Sequence, residues 1–397
     1  MRKRILVFSP PFSGHLNVLK SFIRHCQGIY DIKLIITGWS NIPADLSSIT
    51  ADVISLNDIP LQETDPALWT FQRVLNLAER CLAIARDFKP DILIYDFFSL
   101  EAVLVGETFG MPYWSSIPAL PGPFVYKEYL KEKLAQPVVH DALNALNVKY
   151  GNIFDVEKVE MISDGLHVPG ELNLLWSYPS LLPENMMLNR QAKEYVCIGS
   201  LAGDRIAKRT LEGKPIIFIS FGTVVMNNIW NQQPEIRAKL QTFFTTLAER
   251  WGTSDLDVIF VTQGKTVLDS YPQNWRVVEK INQVEALARS SVFVTHGGAN
   301  SFHEAVLARI PMVAIPFFGD QPLVAQQIER LGIGLDMVQD AGIDTRKSKD
   351  FLDADLVGRV DSAVRSIIAS YNTYQKAFDS LPLEAQDIIT LLKNRLA

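Results

Sequence analysis

The chain has 397 residues, of which 48% are hydrophobic and 21% are charged, and its formal net charge is −6. This length is sufficient for two domains of ordinary size, each with its own core. The acidic balance, and the lack of a Lys/Arg cluster within a nucleic-acid-binding motif, argue against a nucleic-acid partner. No segment approaches the roughly twenty apolar residues that span a bilayer, so we expect no transmembrane segment.

The cysteines and the N-terminus point to an ordinary intracellular environment. Cys26, Cys81 and Cys197 show neither metal-ligand spacing nor a disulfide framework, and we interpret them as packing residues. The basic N-terminus is followed by an apolar run that stops at Pro10-Pro11, which is too short for the core of a signal peptide. We therefore expect a cytoplasmic location.

Short apolar runs alternate with amphipathic stretches through the first part of the chain. The runs predict strands at 5–9, 33–37, 51–56, 91–96 and 113–116, with helices at 16–26, 67–88 and 100–109. This alternation predicts parallel strands in a doubly wound α/β sheet, and we assign residues 1–200 to one Rossmann-like domain. The alternation is lost over 118–189, although 126–150 is largely helical by pattern, and there we expect contacts to a ligand.

The alternation resumes at Pro215 and predicts a second Rossmann-like domain over residues 214–375. The predicted strands are 216–221, 258–262, 276–278, 292–295, 312–315 and 334–337, and the predicted helices are 234–251, 285–289, 299–307 and 354–370. A polar, glycine-containing stretch at 199–213 is the expected linker. Residues 376–397 are helical by pattern.

One stretch of the second domain predicts a phosphate site. The strand at 292–295 is followed by the glycine pair Gly297-Gly298 and by a helix that begins at Ala299. A helix N-terminus directly after a glycine turn offers backbone N–H groups and the positive end of the helix dipole to an anion. Asn300 and Glu304 share one face of that helix, and the Glu304 carboxylate is suited to a sugar diol. Asp320-Gln321 follow the next strand at the same edge of the sheet.

This stretch resembles the donor-binding signature of the UDP-glycosyltransferase-like family. The matching residues are the run His296-Gly297-Gly298-Ala299-Asn300-Ser301, then Glu304, Pro311 and Asp320-Gln321. The resemblance implies the GT-B fold, in which two Rossmann-like domains face each other across a cleft and a C-terminal helix returns to the first domain. It also implies that His296 and Ser301 contact a diphosphate, Glu304 the ribose hydroxyls, and Asp320 and Gln321 the transferred sugar. Arg309 stands where the family usually has glycine.

Two further segments resemble donor-binding motifs of the family. Gly222 and Thr223 belong to a Ser-Phe-Gly-Thr turn that resembles the family's Ser-Phe-Gly-Ser turn near the donor phosphates. Gln283 stands where the family has the Gln of a Trp-x-Pro-Gln signature, but Lys280 and Asn282 replace its Trp and Pro. The aromatic platform for the base is therefore missing, and the donor stays open between uridine and thymidine diphosphate sugars, with uridine favoured by the resemblance.

His15 and Asp96 are the candidate catalytic residues. A neutral histidine is suited to remove a proton from an attacking hydroxyl, and a carboxylate can orient its ring. His15 follows one predicted strand and Asp96 ends another, and the two positions resemble those of the base and its assistant in the family. The alternatives are that His15 only makes a local hydrogen bond in its helix, and that Asp96 only caps the turn toward Ser99.

These residues predict an inverting glycosyltransferase that moves a sugar from a nucleoside diphosphate to a hydroxyl of a small, apolar acceptor. Trp114, Phe124 and Tyr126 are candidate acceptor contacts, with core packing as the alternative. The remaining histidines show no metal spacing. Of the two Asp-x-Asp triplets, the one at 255–257 enters a strand at the edge away from the ligands and the one at 353–355 begins a helix. We therefore expect no metal and no cofactor besides the nucleotide sugar. Two other functions stay open: a sugar-nucleotide epimerase, which needs no acceptor, and a non-catalytic homologue, against which the presence of His15 and Asp96 argues.

Overall fold

The protein is described from a computed structural model over residues 2–39, 46–47, 49–59, 66–121, 126–163, 165–184, 194–207, 209–211, 213–338, 342, 344–348 and 351–396. The chain divides into two compact units. Unit 1 comprises Met1–Leu201 with Leu383–Ala397, and unit 2 comprises Ala202–Pro382. Most of the predicted linker therefore belongs to unit 2, to which it is bonded: the Ile206 N–H donates to the Leu307 carbonyl at 2.8 Å.

Unit 1 is built on a parallel sheet, which has seven strands in the described part of the chain, in the order β3-β2-β1-β4-β5-β8-β9. A separate antiparallel hairpin, β6-β7, lies outside this sheet. The strands are β1 (Arg4–Ser9), β2 (Asp31–Trp39), β3 (Asp52–Ile59), β4 (Ile92–Asp96), β5 (Tyr113–Ile117), β6 (Glu160–Ile162), β7 (Gly165–His167), β8 (Leu172–Leu175) and β9 (Glu194–Cys197).

Helices cover both faces of this sheet, which explains why its central strands are uninterrupted apolar runs. The helices of unit 1 before the second unit are α1 (Ser13–Cys26), α2 (Thr70–Phe88), α3 (Glu101–Phe109), α4 (Tyr126–Leu134) and α5 (Pro137–Tyr150). Side chains of α2, α3 and α5 share one core with Leu6, Phe8, Leu93 and Tyr95. Side chains of α1 share another with Ile5, Val7, Ile92 and Ile94. Alternate residues of each strand thus fill opposite cores.

The sequence analysis missed β8 and β9, which extend the sheet. The strand β8 lies within residues 118–189, the stretch expected to contact an acceptor, and β9 lies just beyond it. The strand β8 has only four residues and carries Asn173 in its middle, which weakens the apolar signal. The Asn173 side chain is nevertheless satisfied, because its Oδ1 accepts from the Ser115 hydroxyl at 2.6 Å and its Nδ2 donates to the Glu194 carbonyl at 3.0 Å. A buried amide with these partners is compatible with a central strand.

Unit 2 is built on a second parallel sheet, which in the described residues has six strands in the order β12-β11-β10-β13-β14-β15. Its strands are β10 (Ile216–Ser220), β11 (Asp257–Val261), β12 (Trp275–Val278), β13 (Val292–Thr295), β14 (Met312–Ala314) and β15 (Gly334–Asp336). Its helices are α6 (Trp230–Gln232), α7 (Pro234–Trp251), α8 (Gln283–Arg289), α9 (Ala299–Ala308), α10 (Gln321–Arg330), α11 (Leu356–Ala369) and α12 (Tyr371–Asp379).

Two elements of unit 2 have no counterpart in the sequence prediction. Helical structure begins at Gly222, directly after β10, and continues as a π-helix over Val224–Ile229 into α6. The Asn227-Asn228 pair inside it is a weak helix former, which hides the element from a pattern search. The second element is α10, whose first residue is Gln321.

The end of the chain returns to unit 1. The segment predicted as continuous helix breaks after α12 and resumes as α13 (Ile388–Arg395). Ile388, Leu391 and Leu392 of α13 are buried in the core that α1 also fills, and the Gln386 N–H donates to the Cys197 carbonyl at 2.9 Å. No helix in the described part of the chain is long and apolar enough to cross a membrane.

Candidate active site

His15 and Asp96 meet at the carboxyl edge of the unit 1 sheet. The strands β1 and β4 are parallel neighbours, so the segments that follow them leave the sheet at the same edge. His15 lies in the first turn of α1, and its Nδ1 is 2.9 Å from Oδ2 of Asp96. Asp96 is fully buried, whereas the His15 side chain is 21% exposed. The imidazole is thus held by a buried carboxylate and still reaches the surface of the unit.

The second oxygen of Asp96 fixes the carboxylate itself. Its Oδ1 accepts from the Phe98 N–H at 3.0 Å, and its carbonyl accepts from the Ser99 N–H at 2.6 Å. The turn-capping interpretation of Asp96 and its contact with His15 are therefore both realised, one on each oxygen. A carboxylate anchored in this way favours a proton on Nδ1 of His15 and leaves Nε2 as the acceptor nitrogen.

Three phenylalanines surround His15. Their ring centroids lie 5.8 Å (Phe12), 5.3 Å (Phe97) and 5.2 Å (Phe98) from the imidazole centroid. Phe97 and Phe98 are buried and Phe12 is partly exposed. The sequence analysis did not single out these rings, although Phe97 and Phe98 directly follow Asp96 and Phe12 lies three positions before His15.

Of the three residues chosen from the sequence as acceptor contacts, only Trp114 has a described side chain. Trp114 lies on β5, is 4% exposed and packs in the core shared with α1 and α13, so it is a core residue rather than an acceptor contact. Phe124 lies outside the described residues. Tyr126 begins α4, and its side chain lies outside the described part of the structure. Strong hydrophobicity alone cannot separate a pocket residue from a core residue.

In unit 2, His296 lies against two glycines at the carboxyl edge of the sheet. The strands β10 and β13 pair in parallel with Ser220 opposite Thr295, which brings Gly222 close to His296. A Cβ atom on Gly222 would lie 2.7 Å from Cε1 of His296, and one on Gly298 would lie 2.6 Å from its Nε2. Gly222 also has φ of +69°, a conformation that favours glycine. Both glycines are therefore required by the close approach of the imidazole.

His296 is neutral at physiological pH. Burial lowers its pKa from 6.5 to about 4, and a contact with the Ser220 backbone offsets only part of this effect. Nδ1 of His296 is buried and has no hydrogen-bond partner among the described residues. A buried polar atom without a partner is uncommon and is destabilising.

Gln283 connects the two residues expected to bind diphosphate and ribose. Its Nε2 donates to Oγ of Ser301 at 2.9 Å and to Oε2 of Glu304 at 2.6 Å. Gln283 is the first residue of α8, and Ser301 and Glu304 lie on one face of α9, three positions apart. The amide therefore positions both side chains from a neighbouring helix.

The carboxyl group of Glu304 has a pKa close to neutral pH. Burial raises its pKa from 4.5 to about 7, and the hydrogen bond from Gln283 acts in the opposite direction. Burial disfavours the ionised form of Glu304, and a hydroxyl group that donates a hydrogen bond to the carboxylate stabilises that form. The site therefore suits a diol.

The first turn of α9 follows β13 at the same edge of the sheet. Gly298 precedes the helix, and no side chain caps its N-terminus. Backbone N–H groups in the first turn of a helix have no intrahelical partners, and together with the helix dipole they favour an anion. Asn300 and Ser301 belong to this turn, and Thr223 belongs to the corresponding turn after β10.

Gln321 is held in a single orientation beside Asp320. Its Oε1 accepts from the backbone N–H groups of Phe317 at 2.9 Å and of Phe318 at 3.3 Å. Because the carbonyl end of the amide is bound to the loop, the Nε2 end is the end that can donate to a ligand. Asp320 immediately precedes α10 and is partly exposed.

Arg309 departs from glycine at the other end of α9. Its φ of +56° is a left-handed conformation, for which the family's glycine is the ordinary choice. Arg309 is instead fixed by Gln375: the Gln375 Nε2 donates to the Arg309 carbonyl at 2.9 Å, and Nη2 of Arg309 donates to the Gln375 carbonyl at 3.0 Å. The departure therefore ties α9 to α12 at the end of α9 opposite Gly298.

No group of three or more His, Cys, Asp or Glu side chains that could hold a metal ion occurs within the described residues. The histidines outside the two sites have other environments. His167 is buried with its Nδ1 3.3 Å from Glu160, and His303 is buried in α9 with a pKa lowered to about 4 by burial.

Comparisons with known sequences identify a family model and bacterial relatives that this chain resembles. Residues 210–354 match the family model described as UDP-glucoronosyl and UDP-glucosyl transferase. The NDP-glycosyltransferase YjiC of Bacillus subtilis (strain 168) is 25% identical over 286 residues, which cover 69% of this chain and 67% of that protein. The uncharacterized UDP-glucosyltransferase YdhE of the same organism is 29% identical over 359 residues, covering 84% of this chain and 85% of that protein.

Solved structures share the fold over nearly the whole chain. The glycotransferase of kitacinnamycin superposes with a TM-score of 0.72 at 20% identity, covering 95% of this chain and 93% of its own. The glycosyltransferase VinC in complex with DTDP has a TM-score of 0.63 at 17% identity, covering 99% of this chain and 98% of its own. The fold is therefore GT-B, with a parallel sheet in each of two domains.

Proposed function

The chain belongs to the UDP-glycosyltransferase-like family of GT-B glycosyltransferases, and on that premise we propose that it is an inverting enzyme. It transfers a sugar from a nucleoside diphosphate to a hydroxyl of a small, apolar acceptor. The observation that carries the proposal is the contact of 2.9 Å between Nδ1 of His15 and the buried carboxylate of Asp96. A non-catalytic homologue has no use for such a pair.

His15 is the general base in this mechanism. As the acceptor oxygen bonds to C1 of the sugar, Nε2 of His15 takes the hydroxyl proton, and Asp96 stabilises the resulting imidazolium through Nδ1–H. The bond between C1 and the phosphate oxygen breaks, and the nucleoside diphosphate leaves with the electron pair. Because the attack is direct, the configuration at C1 is inverted.

Unit 2 supplies the donor contacts. The uncapped first turn of α9 and the Thr223 hydroxyl bind the diphosphate and stabilise the charge that develops as it leaves. Glu304, positioned by Gln283, binds the ribose hydroxyls, and Asp320 with the Nε2 of Gln321 binds hydroxyls of the transferred sugar. Backbone N–H groups and a neutral hydroxyl supply the diphosphate contacts, so we propose that the reaction requires no divalent metal.

The acceptor is apolar because the surroundings of the base are apolar. Phe12, Phe97 and Phe98 lie around the imidazole, so a hydroxyl that reaches Nε2 is attached to a group that packs against aromatic rings. Phenols and hydroxylated polycyclic compounds have this character. Among donors we favour uridine, and thymidine is the competitor because Lys280 replaces the family's stacking tryptophan.

A transfer assay tests the proposal. The purified chain is incubated with UDP-glucose or TDP-glucose and a panel of phenolic acceptors, in parallel with EDTA and with added Mg²⁺, and products are detected by mass spectrometry. We expect an acceptor glycoside that forms equally in EDTA and in Mg²⁺. Product that forms only with Mg²⁺ contradicts metal independence, and isomerised nucleotide sugar formed without any acceptor indicates an epimerase instead.

A further inference from the structure

Arg346 contacts three segments of unit 2 beside the predicted sugar contacts. It lies in a 3-10 turn at Thr345–Lys347, and its guanidinium lies 5.7 Å from the centroid of the Phe318 ring. Nη1 of Arg346 donates to Oε1 of Gln233 at 3.2 Å. Nε and Nη2 donate to the two oxygens of Asp344 at 2.7 Å and 3.0 Å. No sequence motif marked this residue.

The guanidinium plane is fixed by these contacts. The two carboxylate oxygens of Asp344 accept hydrogen bonds from the guanidinium and neutralise its charge. The side chains of Arg346 and Asp344 are only 25% and 23% exposed. The bidentate pair leaves Nη1 for Gln233, and the guanidinium carbon lies over the Phe318 ring within the range of a cation–π contact. A lysine at this position has one ammonium group, which cannot make the fork, the stacking contact and the third hydrogen bond together.

Through Phe318, Arg346 contacts the loop Pro316–Asp320, here called the sugar loop. The turn that carries Arg346 is bonded to it on one side, since the Thr345 hydroxyl donates to the Pro316 carbonyl and the Thr345 N–H donates to the Phe317 carbonyl at 3.2 Å. On the other side, the N–H groups of Phe317 and Phe318 donate to Oε1 of Gln321. A shift of Phe318 therefore moves the hydrogen bond that orients the Gln321 amide.

Gln233 connects Arg346 to the helical segment that contains Thr223, the proposed diphosphate contact. It directly follows α6, and α6 continues the helical segment that begins at Gly222-Thr223. Arg346 thus bonds the end of the segment expected to hold the diphosphate and packs on the loop expected to hold the sugar. Its own charge is paired with Asp344, so direct attraction of the donor is not its main role.

We propose that Arg346 is a positioning residue that sets the sugar loop, and through Phe318 the amide of Gln321, for recognition of the transferred sugar. This inference rests on the proposed function, which assigns Asp320 and Gln321 to the sugar. It goes beyond that function by naming a residue that touches no substrate and that discriminates a nucleotide sugar from the free nucleotide.

The test compares Arg346→Lys with wild type by calorimetric titration, using UDP-glucose and TDP-glucose against UDP and TDP. We expect Arg346→Lys to weaken nucleotide-sugar binding about fivefold more than nucleotide binding, a typical size for a coupling between neighbouring residues. Phe318→Leu, which removes the ring but keeps an apolar side chain, should act in the same direction. Arg365→Lys is the matched control, because Arg365 lies in α11 and its ion pairs in the described structure are with Asp361 at 3.0 Å and Asp255 at 3.6 Å.

A second measurement needs no ligand. Hydrogen exchange of a peptide spanning residues 316–321 should be faster in Arg346→Lys than in wild type, because the N–H groups of Phe317 and Phe318 lose their fixed acceptor. Unchanged exchange there overturns the inference, as does an equal loss of affinity for nucleotide and nucleotide sugar. Wild type that binds neither nucleotide sugar overturns the proposed function instead, and the assignment of the sugar loop with it.

Discussion

Oδ2 of Asp96 lies 2.9 Å from Nδ1 of His15, although the two residues are 81 positions apart in the chain. The other oxygen, Oδ1, accepts from the Phe98 N–H at 3.0 Å. The turn that follows β4 therefore holds the Asp96 carboxylate in place, and the carboxylate orients the imidazole of His15. This arrangement favours the tautomer of His15 in which Nδ1 carries the proton.

Replacing His15 with alanine should lower kcat by roughly 10²-fold or more, the size expected for a lost general base. The Kd for a nucleotide sugar should stay within about twofold of wild type, because the proposed donor contacts are in unit 2. Steady-state kinetics and calorimetric titration measure the two quantities. His25→Ala is the matched control, since His25 lies in the same helix, is exposed, and bonds only the Ser21 carbonyl at 2.8 Å in the described structure. Near-normal turnover in His15→Ala removes His15 from the reaction.

Asp96→Asn should lower kcat to a comparable extent without unfolding unit 1. The amide oxygen can still accept from the Phe98 N–H, but the amide NH₂ then faces Nδ1 of His15. A donor in that position favours the tautomer with hydrogen on Nε2, which cannot take a proton from the acceptor. Comparing kcat with the midpoint of thermal unfolding separates the two effects. Loss of activity that only parallels loss of stability would assign Asp96 a structural role.

The affinity for a nucleotide sugar should depend on the ionisation of Glu304, whose pKa burial raises to about 7. The ionised carboxylate accepts from the ribose hydroxyls, so affinity should fall as pH is lowered through 7, by up to about tenfold per pH unit. A nucleotide sugar is the proper ligand, because its diphosphate has no terminal phosphate that titrates in this range. Glu304→Gln should bind more weakly at pH 8 and with little pH dependence. Asp336→Asn is the control, because burial also raises the pKa of Asp336 to about 7 but this residue lies on β15, outside the proposed donor contacts.

The stability of the ligand-free chain should change with pH in the opposite sense. The folded-state pKa of Glu304 is raised above its usual value of 4.5, so its contribution to stability is complete below about pH 4.5 and is lost as pH rises through about 7. Denaturant titrations of wild type and Glu304→Gln across this window measure the effect. We expect the variant to lose less stability than wild type between pH 5 and pH 8, and equal losses would contradict the burial of this carboxyl.

Gly298→Ala should impair donor binding through His296. A Cβ at position 298 would lie 2.6 Å from Nε2 of His296, so the imidazole or the first turn of α9 has to move. We expect the Kd for a nucleotide sugar to rise at least tenfold, about 1.4 kcal/mol, with a smaller change in kcat. Gly358→Ala is the matched control, because Gly358 lies in α11 and the nearest atom to an added Cβ, Nη1 of Arg250, is 3.8 Å away. Wild-type affinity in Gly298→Ala would show that the close approach of His296 is unimportant.

The fold was predictable from the sequence because each central strand is an apolar run buried on both faces. Strands such as β1, β4 and β13 are almost wholly buried, and parallel pairing brings the residues that follow them to one edge. This rule predicted that His15 and Asp96 lie at the same edge of the sheet, and the structure adds that β1 and β4 are adjacent, which brings the two side chains together. The family resemblance, confirmed by the comparisons, then supplied the roles that remain proposals.

The features that the sequence did not reveal depend on tertiary contacts. Trp114 and Phe98 are both large apolar residues beside strands, and only the structure shows that Trp114 packs in the core while Phe98 lies against His15. Arg346 is an ordinary charged residue in a turn, and its contact with Phe318 has no local signature. The strand β8 was hidden by Asn173, whose partners come from distant segments.

The most direct test of the account is the anomeric configuration of the product. The chain is supplied with UDP-α-glucose and a phenolic acceptor, and the glycoside is examined by proton NMR. Direct attack assisted by His15 predicts a β-glucoside, with formation greatly reduced in His15→Ala. An α-glucoside, or a β-glucoside formed at an undiminished rate by His15→Ala, would contradict the proposed mechanism.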